Sequence, residues 1–230
     1  MNSTLSFEDI ILPLNLSQFL KDFFDKKHFH NQGISDRFKH LLTASQLMEF
    51  IKISPLWNEA NLKLYHQGHT LPSHQYCKPS ATLTQPSELR PDDALVQALL
   101  AKGATLVAND IGSLTPGLRE VCSRLAENLE APVQANLYYS IKAHPGFLSH
   151  FDVHDVFVLH LEGEKKWHLY EGKANEPINH PIFNNLTQEM HEAQKVPLLK
   201  EIHLKPGRFL YIPRGMYHDA VALTDHSLHI

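Results

Sequence analysis

"SHFDVHDVFVLHLEGEKKWHLYEG", residues 149–172, is the stretch on which the reading of this chain turns. An apolar run, Val156–Leu161, precedes Glu162-Gly163-Glu164, and a second strand-like run follows at 165–170. The two runs about a glycine predict a buried β-hairpin. Around them stand four histidines, two aspartates and two adjacent lysines. Charged side chains are seldom fully buried without partners, so this cluster calls for a metal, an anionic ligand or open water beside it.

Period-two alternation sorts these groups by face. His150 and Asp152 are two apart, so in extended backbone both leave the same side. Over 165–170, Lys165, Trp167 and Leu169 share one face and Lys166, His168 and Tyr170 the other. With Trp167 and Leu169 turned inward, Lys165 turns inward too and requires an anion. A lysine that snorkels to water from a strand end satisfies the same pattern, and the pattern does not choose between the two.

Outward from this segment, everything after residue 131 has strand texture. "VQANLYYSI", "DVFVLHL", "KWHLYEG", "EIHL", "GRFLYIP" and "YHDAVAL" are short β-rich runs between Gly, Pro and charged turns, the pattern of a sandwich or barrel, with a jelly-roll as one way to protect the edges. "NEPINHPIFNNLTQEMHEAQK" (175–195) interrupts them as a long polar loop or lid with a short helix. The first 130 residues read mainly helical: 17–27, 43–51 with Thr43 and Gln46 at capping-box spacing, 91–103, and a helix capped by Thr115 with Pro116 at its first position. "ATLVAND" (104–110) is a short strand among them.

Composition excludes several classes. Net charge is −4 without a dense Lys/Arg block, which argues against a dedicated nucleic-acid surface. No apolar run approaches the ~20 residues needed to span a bilayer, and the N-terminus lacks the pattern of a secretory signal. Cys77 and Cys122 are too few for a disulfide framework, so the expected compartment is the cytoplasm. Eleven of the 17 histidines lie after residue 143, which directs attention to the second half.

A third ligand to join His150 and Asp152 must come from elsewhere. "LKPGRFLYIPRGMYHDA" offers His218 behind the Pro213-Arg214-Gly215 corner. Two imidazoles and one carboxylate on a triangular face form the arrangement of non-haem Fe(II) oxygenases, with open positions for a bidentate co-substrate and O₂. Other readings stand beside it. An isolated H-x-D pair is common by chance, and "HFDVHD" half-matches the H-x-H-x-D-H of binuclear zinc hydrolases. Ordinary small-molecule cupins prefer an H-x-H pair with a later Glu and His. His154 is a fourth-ligand or hairpin-end candidate, while His160, His168, His203 and His226 read as strand-face residues.

"FLSHFDVHDVFVLHLEGEKKWHLYEG" resembles the metal- and cosubstrate-binding segment of Jumonji-C (JmjC) oxygenases, in particular their bacterial cupin-like, ribosomal-oxygenase branch. The resemblance extends through "FFDKKHFH", "GATLVANDI", "APVQANLYYS" and "LKPGRFLYIPRGMYH", nearly the whole chain. It implies a double-stranded β-helix (jelly-roll/cupin) core over residues 131–230, behind a mainly helical part, 1–130, that supplies the first strands. It implies Fe(II) as the metal, 2-oxoglutarate as cosubstrate and O₂. His150, Asp152 and His218 match the iron ligands, and Lys165 matches the lysine that pairs with the far carboxylate of 2-oxoglutarate. Asn136, Tyr138 and Ser140 match cosubstrate-pocket positions, and His229 a place near the iron. Arg208 stands where an acid is usual, and Met216 and Tyr217 where Trp is common.

The expected activity is 2-oxoglutarate-dependent hydroxylation, rather than demethylation, of a side chain in a protein or peptide, a ribosomal protein among the candidates. The polar 175–195 loop and the helical N-terminal third form the expected rim, suited to an extended backbone. Two other classes stay open: a metal-dependent cupin acting on a small molecule, which would not need an inward Lys165, and a catalytically silent JmjC-like binding module, which the intact H-x-D…H disfavours. The chain stops at Ile230 inside a β-pattern. Ribosomal oxygenases continue with a helical dimerisation segment and a winged-helix domain; without them here the oligomeric state and a ribosomal substrate stay open, and a chain truncated at its C-terminus is one reading.

Overall fold

The computed structural model describes residues 5–53, 56–79, 88–141 and 147–230. Its helices begin where short polar side chains can accept from free amides. Ser6 and Asn15 form capping boxes with Asp9 and Gln18 at the heads of α1 (Phe7–Ile11) and α2 (Leu16–Asp22). The helix expected over 17–27 ends early because Asp25 adopts a left-handed φ of 55° and gives its N–H to the Tyr211 hydroxyl at 2.7 Å. After β1 (Phe29–Asn31), Thr43 and Gln46 exchange the expected bonds at the head of α3 (Ala44–Ile53), at 2.9 and 3.2 Å.

Four short strands follow: β2 (Leu62–His66), β3 (His69–Thr70), β4 (Cys77–Pro79) and β5 (Leu89–Pro91). Asp92 caps α4 (Asp93–Ala101), which leads to β6 (Thr105–Ala108). Thr115 caps α5 (Pro116–Leu129), with Pro116 at its first position. Then come β7 (Leu137–Ile141), β8 (Val156–Lys173), α6 (Pro181–Asn184), α7 (Gln188–Gln194), β9 (Leu198–Leu204), β10 (Phe209–Ile212) and β11 (Met216–His229).

One nine-stranded antiparallel network runs β1-β10-β8-β11-β7-β6-β2-β3, with β9 also on β8. The N-terminal half thus contributes β1, β2 and β3, as well as the expected β6, to the same network as the C-terminal strands.

The predicted hairpin is not there. Residues 156–173 are one strand, β8, which pairs with β10 over 156–159 and with β9 over 165–170, while β11 runs alongside from Glu162 to Lys173, with a further pair at His160. Gly163 kinks the strand rather than turning it back. Its φ is +68°, and a Cβ there would lie 2.0 Å from the His226 carbonyl oxygen, so only glycine fits beside the bulge in β11 between Ala222 and Ser227.

The kink lets β8 belong to two facing sheets. Val158, Leu210 and Ile212 of one pack with Trp167, Leu169, Ile202 and Leu204 of the other, giving the interior of a double-stranded β-helix. The alternate residues Phe157, Leu159, Phe209 and Tyr211 face the N-terminal helices; Phe19 lies 5.0 Å from Tyr211 and 5.9 Å from Phe157, ring to ring. Burial on both faces explains why β10 reads as the continuous apolar run FLYI. No helix among the described residues is long and apolar enough to cross a membrane.

Candidate metal centre

The segment before β8 is not regular strand. His150 makes a single bridge, to His218 at the start of β11: each donates its N–H to the other's carbonyl, at 3.0 and 2.8 Å. Directly opposed residues of an antiparallel pair present their side chains on the same face, and the two imidazoles lie 4.6 Å apart, centre to centre. Asp152, two residues on, shares that face, and its backbone carbonyl is held by the Gly215 N–H at 2.8 Å. The Pro213-Arg214-Gly215 corner therefore positions both strands of the site. Gly215 has φ +79°, and a Cβ would stand 2.6 Å from the Ala174 carbonyl oxygen.

Ligand atoms of His150, Asp152 and His218 all lie within 4.8 Å of one another, and no other such group of metal-capable residues occurs among the described residues. Both imidazoles are oriented alike. His150 Nδ1 is 2.8 Å from the Leu148 carbonyl oxygen and His218 Nδ1 is 3.0 Å from that of Met216. A carbonyl only accepts, so Nδ1 is the donor in each ring and Nε2 is the nitrogen left to face a metal. Burial pushes His218 down to about 4, which keeps it neutral at pH 7. Burial also raises the Asp152 carboxyl, but His218 and His150 beside it more than reverse this, and the group lies below the ordinary carboxylate range. Two imidazole nitrogens and one carboxylate oxygen fit a divalent first-row metal of the facial-triad kind.

A second polar point lies along the same interior wall. Lys165, Trp167 and Leu169 are buried while Lys166, His168 and Tyr170 are partly exposed, so the strand faces are as predicted. Lys165 is 6% exposed. Its Nζ donates to Ser140 Oγ at 3.1 Å, Thr105 Oγ1 donates to the same hydroxyl at 3.3 Å, and no carboxylate lies within ion-pair distance of Lys165 among the described residues. Burial pushes this amine down to about 7. An uncompensated buried amine beside two hydroxyls fits the carboxylate of a small dianion.

Between these points, Leu169 stands opposite His218 across the sheet. Trp167 lies 5.9 Å from His218 and 5.4 Å from His229, and His229 stacks on Tyr138 at 4.9 Å with the planes 4° apart. Burial holds His229 well below its usual value and lifts the Tyr138 phenol. The buried atoms His229 Nδ1 and Trp167 Nε1 have no hydrogen-bond partner among the described residues, so this wall has polar capacity left over.

Ser140, Tyr138 and His229 therefore gather around Lys165 and Trp167. Asn136 does not join them through any hydrogen bond described; its side-chain oxygen accepts from the Asp110 backbone N–H at 3.0 Å. His154 is exposed and outside the triad. His168, His203 and His226 sit on strand faces beside Asp219, Glu164 and Glu162, and His160 is buried against the Gly163 carbonyl. Nothing local in the sequence marks Thr105, since only the pairing of β6 with β7 brings it beside Ser140.

A profile of the JmjC domain matches residues 116–230, half of the chain. The chain belongs to the JmjC-domain family. Among JmjC relatives, it is 28% identical over 224 residues to the bifunctional lysine-specific demethylase and histidyl-hydroxylase NO66 of Dictyostelium discoideum, covering 96% of this chain and 41% of that protein. The NO66 of Drosophila erecta is 30% identical over 226 residues, covering 97% and 32%. The fold is like that of YcfD, a ribosomal oxygenase from Escherichia coli, with a TM-score of 0.57, 15% identity, and 94% and 50% of the two chains covered. YcfD in complex with cobalt and 2-oxoglutarate gives 0.53 and 16%, with 95% and 51% covered. The chain thus spans about half the length of the solved relatives and less than half of the curated ones.

Proposed function

We propose that this JmjC protein is an Fe(II)- and 2-oxoglutarate-dependent dioxygenase that hydroxylates a side chain of a protein or peptide. His150, Asp152 and His218 would hold the metal, and Lys165, aided by Ser140, the far carboxylate of the cosubstrate. The observation that carries the reading is the pairing of the two points on one interior wall. Lys165 stands four residues from Leu169, the partner of His218, roughly 13 Å of strand, which the long lysine side chain shortens. A zinc or manganese cupin acting as an isomerase or hydrolase would leave that buried amine without an anion. The names of the NO66 relatives and the cobalt and 2-oxoglutarate complex of YcfD support the same activity.

When bound, iron and 2-oxoglutarate supply O₂ activation, with succinate and CO₂ as products. The chain's own part is orientation. The Leu148 and Met216 carbonyls hold the two imidazole protons at Nδ1, and Asp152 contributes the single anionic donor. Lys165 would present a proton at Nζ to the cosubstrate's carboxylate, and Trp167, Leu169 and Val158 would exclude water from the interior between. The polar 175–195 insert suits an extended polypeptide better than a small apolar molecule, although Ile178, Ile182 and Met190 on it are exposed. The relatives' names make a histidyl side chain the first residue to examine and a ribosomal protein the first target class.

The test is incubation with Fe(II), 2-oxoglutarate and extract from cells lacking the protein. The expected results are succinate formation and one added oxygen on a specific polypeptide, located by mass spectrometry. Turnover of a small metabolite alone would overturn the substrate class, and absence of 2-oxoglutarate-dependent succinate would overturn the activity.

A further inference from the structure

The metal-binding segment has little regular structure to hold it. His150 makes one isolated bridge, and β11 is irregular between Met216 and His218. Side chains that flank the ligands point the other way, and there they meet. Ser149 Oγ donates to Asp219 Oδ2 at 2.7 Å, directly behind the bridge that pairs His150 with His218. Tyr170 OH donates to the same oxygen at 2.6 Å, and His168 Nδ1 lies 2.7 Å from Asp219 Oδ1. Both oxygens of one carboxylate, whose side chain is 21% exposed, thus tie the His150 segment, β8 and β11 together.

The insert joins this cluster from outside. Lys195, just after α7, donates to Ser149 Oγ at 3.0 Å and lies 4.7 Å over the Tyr170 ring, and Gln188 of α7 donates to the Ser149 carbonyl at 3.1 Å. Phe151 and Tyr217, the other flanking residues, pack on each other at 5.2 Å and on His191 of α7 at 5.5 and 5.7 Å. All four residues adjoining the two histidine ligands are therefore engaged on the outer face, three of them directly with the insert or its end.

We propose that Asp219 is a positioning residue for the metal centre: with Ser149, Tyr170 and His168 it sets the spacing of the His150–His218 pair, and the α6–α7 insert braces it from behind. This rests on the proposed metal site. The range for outer partners of metal ligands is about 10–100-fold in affinity, and a partner acting through the backbone belongs at its lower end.

Cobalt(II) is the probe, read by its visible absorption spectrum and by titration. Asp219→Ala should weaken Co(II) binding about tenfold and shift the bands, well below the melting temperature, and Asp219→Asn should restore part of both. Unchanged affinity with a superimposable spectrum in Asp219→Ala, even alongside a lower melting temperature, overturns the proposal. Should that variant not fold, Lys195→Met and Gln188→Ala carry the test; each should weaken binding about two- to threefold with the same direction of band shift, and no change in either overturns it. Asp152→Ala separates the two readings. If it binds Co(II) as the natural chain does, or if the natural chain binds none, the metal site itself is wrong and the positioning role falls with it.

Discussion

On the inward face of β8, Lys165 is 6% exposed, with a hydroxyl for a partner and no carboxylate among the described residues. On the outward face its neighbour Lys166 keeps 36% of its side chain exposed, with Glu201 at 3.6 Å. The same chemical group, one residue apart, is buried beside a hydroxyl in one place and reaches water and a carboxylate in the other. The difference lies in the pleat alone, which sends successive side chains into a dry interior or into water. Inside, Trp167 and Leu169 line the wall that leads to His218. Outside, His168 and Tyr170 serve Asp219. One strand thus separates groups that would meet ligand from groups that would hold the frame.

The largest contrast is expected at the metal. Asp152→Ala removes the anionic donor of the His150–Asp152–His218 group and should lower affinity for Mn(II) or Co(II) by more than about 100-fold, beyond the range for an outer partner, and abolish 2-oxoglutarate-dependent succinate formation. Direct titration checks it, and retained affinity would move the metal elsewhere.

Next comes the anchor. Lys165→Met should weaken 2-oxoglutarate binding roughly 10- to 150-fold, the loss of a charged hydrogen bond of about 1.5–3 kcal/mol, while Co(II) binding persists. The same variant should stabilise the ligand-free protein at pH 7. The folded-state value of about 7 lies below the unfolded 10.5, so the unfolded chain binds the extra proton between them. The natural protein therefore gains stability as pH rises from 7 toward 10.5, on the order of 4 kcal/mol, and Lys165→Met lacks that gain. Parallel denaturant titrations at pH 7 and 9.5 measure it; equal pH dependence in the two proteins would mean that the amine is not buried.

A smaller effect is expected on acidification. His218 and His160 are both held down to about 4 by burial, against an unfolded value of 6.5. The stability that these two neutral imidazoles contribute should be fully present above pH 6.5 and be lost as pH drops toward 4, visible as a declining melting temperature. Metal that ligates His218 should shift that decline to lower pH.

The smallest effect sharpens the comparison most. Lys166→Met breaks only an exposed ion pair worth ~0–1 kcal/mol, and should change 2-oxoglutarate affinity less than about twofold. Exchanged behaviour of the Lys165 and Lys166 variants would mean that the register of β8 is wrong by one residue.

Much of this was legible because it is local. The inward set Lys165, Trp167 and Leu169 follows from period two, and the Thr43–Gln46 and Thr115–Pro116 signals mark where α3 and α5 begin. The same-face pairing of His150 and Asp152 needs only two residues. What escaped is non-local or context-dependent. Gly163 looks like a turn in sequence and acts as a kink, because β11 bulges beside it and β9 and β10 stand ready to pair with either half of β8. β1 and β3 are too short to show a period, and β2 shows it only in Leu62 and Leu64. Ser149 and Asp219 are ordinary polar residues until the fold closes 70 residues between them. Asn136 shares the parity of Tyr138 and Ser140, yet it precedes β7, where the backbone of the loop after β6 takes its side-chain oxygen.

The uninterrupted course of β8 bears on motion. Because a single strand is hydrogen-bonded to β10 at one end, to β9 at the other and to β11 along most of its length, the two walls of the barrel share a spine and cannot part like the leaves of a hinge. Opening between them would break the ladders of β8 together, so slow amide exchange is expected along its length. Traffic to the interior is then governed by segments at the barrel ends, where the backbone is held by single bridges and side chains.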